Sequence, residues 1–375
     1  MKNTIEERRT KGLFWDRAWK IVEGCSKVSP GCDNCWSETE TVMRCGHPNE
    51  KIRTRALMVT AHADSDGAPV NQDRFTGRIT MRYDNLDLPL RTRKPTVFAI
   101  WNDLYHEDVP DSFRDRAYAV MALCPQHTFL VLTKRAERMA DYWSTPRTDL
   151  GLRIWKASPH TKNGKRVPAV DCGRFQTDGI SGVWHGVTCE NQQTADERIP
   201  HLLRVPGKRF VSLEPMLGPI DMENVDPMPQ FPHEDILYSL DCLRGHLKGP
   251  DDMLGVSIDA VLLGGESGKN ARPMYPNWAR SVQDQCEAAG VPFYFKQWGE
   301  WVPILVGQYG DTDTMFGNYR RLTLSPAGEI LEYNGIYDGK PENWKMARIG
   351  KKKAGRTLDG RLHDDLAWDK EKVNA

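Results

Sequence analysis

The 375-residue sequence lacks any surplus of charge: Lys plus Arg and Asp plus Glu number 51 each. A whole-molecule field that gathers nucleic acid is therefore excluded, although a local patch is not. No stretch approaches the roughly 20 apolar residues that a bilayer span requires. The opening "MKNTIEERRTKGLFWDRAWK" has no apolar h-region, so a secretory signal is not expected. No G-x-G-x-x-G follows an apolar run and no G-x-x-x-x-G-K-[ST] occurs, which excludes the standard dinucleotide and P-loop sites. Internal repeats and low-complexity tracts are absent. The nine cysteines are an odd number and mostly scattered, which argues against a secreted disulfide framework. The expectation is a soluble cytoplasmic protein with no membrane partner.

What is present is an alternation of apolar β-rich runs and helical patterns. The runs are 18–24, 77–83, 96–101, 128–133, 182–188, 209–213, 259–265 and 291–298. They are nearly continuous in apolar residues, as buried parallel strands are. Helical patterns fall at 112–123, 135–143, 192–203 and 277–290, the last ending on a glycine where a C-cap belongs. Six to eight such units predict an α/β fold, a (β/α) barrel, complete or incomplete, over residues 1–301. Polar, loop-like insertions are expected at about 151–181 and 221–258, the latter carrying a short amphipathic piece, "EDILYSLDCLRGHL". A C-terminal extension is expected over 302–375.

The sharpest local signal is "GCSKVSPGCDNCW" (24–36), with Cys25, Cys32 and Cys35 spaced C-x6-C-x2-C. The run before it predicts that the thiols sit at a strand's C-terminal end, where barrels keep active sites. Three thiolates can hold a [4Fe–4S] cluster with one iron open to a ligand. The competing reading is a structural zinc, which needs a fourth ligand from Cys45 or His47 in "RCGH".

Polar residues end the other runs: Asn102 and Asp103, Lys134 and Arg135, Thr188 and Glu190, Ser212 and Glu214, Gly264 to Ser267, and Lys296 with Gln297. Each alone is equally a helix cap or a solvated turn; in a barrel the set would face one mouth. Cys189 ends a run and is either a hydrogen-atom donor or a small buried residue, and His185 reads as a core histidine. "KKK" (351–353) with Arg348 and Arg356 is a solvated basic tail or a contact for nucleic-acid phosphates.

The cysteine loop resembles that of the radical S-adenosylmethionine (SAM) superfamily. More closely, "GCSKVSPGCDNCW", "WNDLYHEDVPD", "VLTKRAERM", "GVTCENQQTADERIPHLL", "RFVSLEPMLGPI", "LLGGESGKNARPM" and "PFYFKQWGEW" resemble a phage and prophage branch related to it. The stretches span most of residues 15–301. Two features depart from the superfamily: the first gap is six residues rather than three, and Asn34 replaces the usual aromatic before the third cysteine, with Trp36 after it.

The resemblance implies a [4Fe–4S] cluster on Cys25, Cys32 and Cys35, SAM as second cofactor, and an external electron donor of flavodoxin or ferredoxin type. It implies reductive cleavage of SAM to a 5′-deoxyadenosyl radical. Among phage enzymes of this kind the implied substrate is DNA or a modified nucleotide, in its sharpest form Nα-glycinyl-thymidine isomerised to its Cα-linked form. A DNA-base repair lyase is the alternative within the same chemistry; a zinc-stabilised nucleic-acid-binding protein is the alternative outside it. On the resemblance, Asp103, Lys134, Glu214, Gly264, Gly265 and Glu266 are expected to bind SAM, although "GGES" would serve substrate equally. Asn102, Arg135, Glu190, Gln297 and Trp298 are expected to meet substrate, and Cys189 and Lys296 to take part in the chemistry.

Overall fold

The structure, a computed structural model, describes residues 10, 12–63, 69–158, 179–227, 239–248, 255–304, 318–331 and 342–371. Seven of the apolar runs become strands: β1 (Arg17–Trp19), β2 (Val97–Ile100), β3 (Thr128–Thr133), β4 (Val183–Thr188), β5 (Lys208–Leu213), β6 (Ala260–Gly264) and β7 (Phe293–Gln297). Every residue of β4 and β6 is buried, as in strands covered on both faces. They form a seven-stranded sheet whose order is the chain order. The pairings β1–β2, β2–β3, β3–β4 and β6–β7 are parallel.

A doubly wound sheet reverses its strand order at a switch point. Order without reversal is the winding of a (β/α) barrel. β1 and β7 are the edge strands, so the described residues form an open seven-stranded sheet and not a closed eight-stranded barrel. The outer side of β7 is taken: Phe295 N–H donates to the His363 carbonyl at 3.0 Å, and Tyr294 forms an antiparallel bridge with Asp364. A bridge of opposite direction ends the parallel ladder and covers an edge that would otherwise invite pairing.

The helices are α1 (Trp36–Arg44), α2 (Asp111–Ala122), α3 (Ala136–Ser144), α4 (Gln192–Leu203) and α5 (Pro276–Ala289). α5 starts on Pro276 and stops at Gly290, whose φ of 69° gives the left-handed C-cap that glycine adopts without Cβ strain.

The chain divides into two compact units. The first is Trp15–Val187 with His201–Phe210. The second is Thr188–Pro200 with the described residues from Val211 onward and those up to Phe14. The segment beyond residue 302 groups with the second unit. It supplies most of a four-stranded antiparallel sheet of Trp301–Pro303, Trp344–Arg348, Arg320–Leu324 and Ile330–Leu331.

The sequence expectations at 18–24 and 77–83 need correcting. Trp19 ends β1, Ile21 N–H turns back to the Trp19 carbonyl, and Val22–Glu23 pairs antiparallel with Thr80–Met81. "GRITMRY" is therefore the partner of a two-stranded ladder and not a strand of the parallel sheet. Both expected insertions fall partly outside the described residues, at 159–178, 228–238 and 249–254. The described part of "EDILYSLDCLRGHL" is a β-hairpin of Ser239–Asp241 and His246–Lys248, and the start of the first insertion continues the helix Arg147–Lys156.

The core of the first unit holds a chain of buried hydroxyls and rings. The Tyr105 and Tyr118 hydroxyls lie 2.6 Å apart, Trp143 Nε1 donates to Tyr105 Oη at 3.1 Å, and Tyr118 Oη meets His185 Nε2 at 3.1 Å. Gly186 lets the Phe210 ring approach to where a Cβ would stand 2.4 Å from it. His185, inside β4, is fully buried. Burial, helped by the Arg209 charge, lowers its pKa from 6.5 to about 3.

The unfolded imidazole binds a proton near pH 6.5 and the folded one only near 3. Between these values the unfolded chain binds more protons, so stability falls as pH drops through that window. The loss expected from this group is on the order of 2–3 kcal/mol between pH 7 and pH 4.5. In a thermal-melt series against pH, His185→Gln is expected to flatten the decline between pH 6.5 and 4.5; an unchanged slope would show that His185 does not set it.

Candidate functional site

The cysteine loop begins at Gly24, whose φ is +89° and whose Cβ would stand 2.2 Å from the Arg78 carbonyl oxygen. Only glycine fits that approach, and it turns the chain out of the Val22–Glu23 ladder into Cys25. Pro30–Cys32 then makes one 3₁₀ turn, and Cys35 is the N-cap of α1. Cys25, Cys32 and Cys35 are free and half-buried.

Each sulfur is met by donors. Backbone N–H groups of Glu38 and Ser37, in the first turn of α1, donate towards Cys35. Val28 and Ser29 N–H groups do so towards Cys32, with the Ser29 hydroxyl 3.8 Å from its sulfur. Arg135 Nη1 reaches Cys25 Sγ at 3.9 Å. Burial pushes the Cys25 thiol up to about 12, the Asp103 charge adding to it and Arg135 opposing it. Burial likewise raises Cys35. At Cys32 burial acts in the same direction, but the Lys134 charge and the backbone donors outweigh it, and the thiol is lowered.

Arg135 is bound on all sides. Its Nε donates to Glu107 Oε1 at 2.8 Å, Nη1 to Asp103 Oδ2 at 2.9 Å, and Nη2 to the Ser26 hydroxyl at 2.6 Å and carbonyl at 3.3 Å. Asp103 Oδ1 accepts from Thr133 Oγ1 at 2.7 Å and from Tyr105 N–H at 2.8 Å. Lys134 Nζ donates to Ser29 Oγ at 3.3 Å. Asn102, at a positive φ of 62°, accepts from Ser37 Oγ at 2.6 Å and donates to the Val22 carbonyl at 3.2 Å. It straps α1 to the ladder that feeds the loop. The structure thus brings Asn102, Asp103, Lys134 and Arg135 to the cysteine loop, with Asn102, Asp103 and Arg135 engaged as its scaffold.

Cys45 and His47 do not close a zinc site with these thiols. Cys35 and Cys45 cap opposite ends of the nine-residue α1, which holds them about 15 Å apart. Cys45 Sγ instead lies 3.2 Å from Thr60 Oγ1, and His47 Nδ1 accepts from Asn49 N–H at 3.0 Å. Among the described residues, no group of three His, Cys, Asp or Glu is placed to share one metal ion.

In the second unit the expected residues meet a different fate. Lys296 Nζ bonds both Glu214 carboxylate oxygens at 2.6 Å, and Gln297 Nε2 donates to Glu214 Oε1 at 3.2 Å. Gly264 faces this pair, with a Cβ position 3.4 Å from the Glu214 carboxyl carbon. Lys351, the first lysine of "KKK", also feels Lys296 and Glu214; burial and then the Lys296 charge lower its pKa.

Glu266 is buried, and its carboxylate accepts from Arg272 Nε at 2.9 Å, Nη2 at 2.6 Å and backbone N–H at 2.7 Å. Gly265 admits the Trp298 carbonyl to 2.0 Å from a Cβ position, a packing reason for that glycine. Trp298 is itself buried, its indole N–H on the Thr357 carbonyl at 2.8 Å, so it presents no open stacking face. Glu190 is buried against Arg198 at 2.8 Å, and Cys189 is fully buried.

Sequence reasoning missed Ser26, His106 and Glu107, and read Lys351 only as part of a basic run. The first sits inside the cysteine motif; His106 and Glu107 sit in "WNDLYHEDVPD", directly after the singled-out Asn102 and Asp103. Their part could be guessed only from that adjacency.

Removing one member of the Glu214–Lys296 pair leaves the other largely buried and uncompensated. Lys296→Met is expected to cost roughly 1–3 kcal/mol in denaturant unfolding, and the double variant with Glu214→Gln to recover most of it. Strict additivity of the two substitutions would show that the pair is not coupled.

No curated protein matches the chain. No solved structure matches it either. Residues 9–367 match one family along almost the whole length of the fold and through both units, and the chain belongs to that family, described as Protein of unknown function (DUF5131).

Proposed function

We propose that this chain is a radical SAM enzyme in which Cys25, Cys32 and Cys35 hold a [4Fe–4S] cluster. The observation that carries the reading is the set of N–H and cationic donors around three half-buried thiols. Thiolate ligands of a cluster need such donors, and hydrogen bonds to sulfur tune its potential. Among the described residues Cys45 and His47 have partners elsewhere, which favours a cluster with one open iron over a structural zinc completed by either of them.

When bound, cluster and SAM together supply hydrogen-atom abstraction from an unactivated carbon. The protein's share is to hold and orient. Arg135 keeps Cys25 in place, Lys134 offsets charge at Cys32, and α1 directs its N-terminal N–H groups at Cys35. In the second unit, Lys296 and Lys351 beside Glu214 offer cations to an anionic group. The substrate we propose is a modified thymidine in phage DNA, Nα-glycinyl-thymidine isomerised to its Cα-linked form. Its glycyl α-carbon is a favourable abstraction point because amine and carboxylate both stabilise the radical. With Arg135 committed to the loop, the cation for that carboxylate is Lys134 or Lys296. This substrate rests on the resemblance of the sequence motifs.

Anaerobic purification followed by iron and sulfide analysis tests the class. The expected outcome is about four iron and four labile sulfide per chain, and 5′-deoxyadenosine on addition of dithionite and SAM. Cys45→Ser with His47→Ala is expected to leave the iron content unchanged. Stoichiometric zinc without labile sulfide, lost in that double variant, would overturn the enzyme reading.

A further inference from the structure

Arg135 is more tightly bound than an ion pair requires. Its side chain is 5 % exposed and shared between Asp103, 9 % exposed, and Glu107, 54 % exposed. The same guanidinium reaches forward to the sulfur of Cys25 and to both oxygens of Ser26, the next residue. Ser26 is held from a second direction. His106 Nδ1 accepts from Asp108 N–H at 3.2 Å, so the protonated nitrogen of the neutral ring is Nε2, which donates to Ser26 Oγ at 3.0 Å. Arg135 and His106 thus clamp the residue that follows Cys25, and the planar fork of arginine suits two-point fixation where a lysine point charge does not.

Charge points the same way. A cluster gains one negative charge on reduction, and a cation beside a ligating sulfur stabilises that charge in a poorly solvated site. Without Arg135, the Asp103 charge would face Cys25 uncompensated, and Glu107 would lose its cation.

We propose that Arg135 is a positioning residue of the cysteine loop, which pins Cys25 through Ser26 and raises the reduction potential of the cluster the thiolates hold. The inference rests on the cluster reading. Both are tested on the full chain, purified anaerobically, in the wild type and in Arg135→Lys, Arg135→Gln and Glu107→Gln.

The readouts are iron and labile sulfide content, the rate of iron loss to a chelator, and the midpoint potential followed by electron paramagnetic resonance without SAM. Arg135→Lys keeps the charge and loses the fork. It is expected to release iron about tenfold faster, in the range seen when groups supporting a metal ligand are removed, with a potential close to wild type. Arg135→Gln is expected to release iron faster and to shift the potential negative. Glu107→Gln changes a half-exposed side chain and removes a negative charge, so its potential is expected to move positive even if Arg135→Gln does not fold.

Wild-type protein without iron and sulfide would overturn the cluster reading and this proposal with it. A loaded wild type with unchanged potentials in Arg135→Gln and Glu107→Gln, or iron release unchanged in Arg135→Lys, would overturn this proposal alone.

Discussion

A thiol that must act as a thiolate inside a protein needs hydrogen-bond donors and positive charge close by, because burial favours the neutral form. The first unit is arranged around that constraint. Cys35 is placed where α1 begins, so unpaired N–H groups face its sulfur. Cys32 ends a 3₁₀ turn, and the N–H groups of Val28 and Ser29, just before that turn, face its sulfur. Cys25 has no helix to draw on and is served by a side chain from the end of β3.

That side chain passes the constraint onward. A buried guanidinium needs carboxylates, and Asp103 in turn needs its lone pairs filled, which Thr133 and the Tyr105 backbone do. Tyr105 then joins the hydroxyl chain that runs through Tyr118 to His185 in β4. The loop is thereby tied, bond by bond, to the most buried part of its unit. Hydrogen-bond networks of this kind hold a site rigid where isolated contacts would not.

The second unit shows the same rule with a different result. Glu190, Glu214 and Glu266 each read in sequence as carboxylates free to bind a ligand. Each has a cation of its own: Arg198, Lys296 and Arg272. Buried carboxylates are paired or are paid for in stability. Glu266 and Glu190 lie under 6 % exposed and are committed to their arginines. The Glu214–Lys296 pair stays at 19 % and 17 % exposure with Lys351 at hand, so of the three carboxylates Glu214 is the least buried.

The sequence by itself determined the elements and their winding. Continuous apolar runs marked seven parallel strands, helical spacing marked α2 to α5, and Gly290 marked the end of α5, because burial on two faces, a period of 3.6 and the left-handed cap are all local requirements. The grouping of Cys25, Cys32 and Cys35 was legible for the same reason: eleven residues of one loop hold them together. The eighth run, 77–83, was misread because apolar content carries no information on strand direction. What only the tertiary structure decided is which charge meets which. Arg135 looked as free for substrate as Lys134, and Trp298 as available for stacking as any exposed ring. Their partners come from 28 to 110 residues away. Pairing across such distances depends on where strands and loops bring side chains, and no local pattern encodes it.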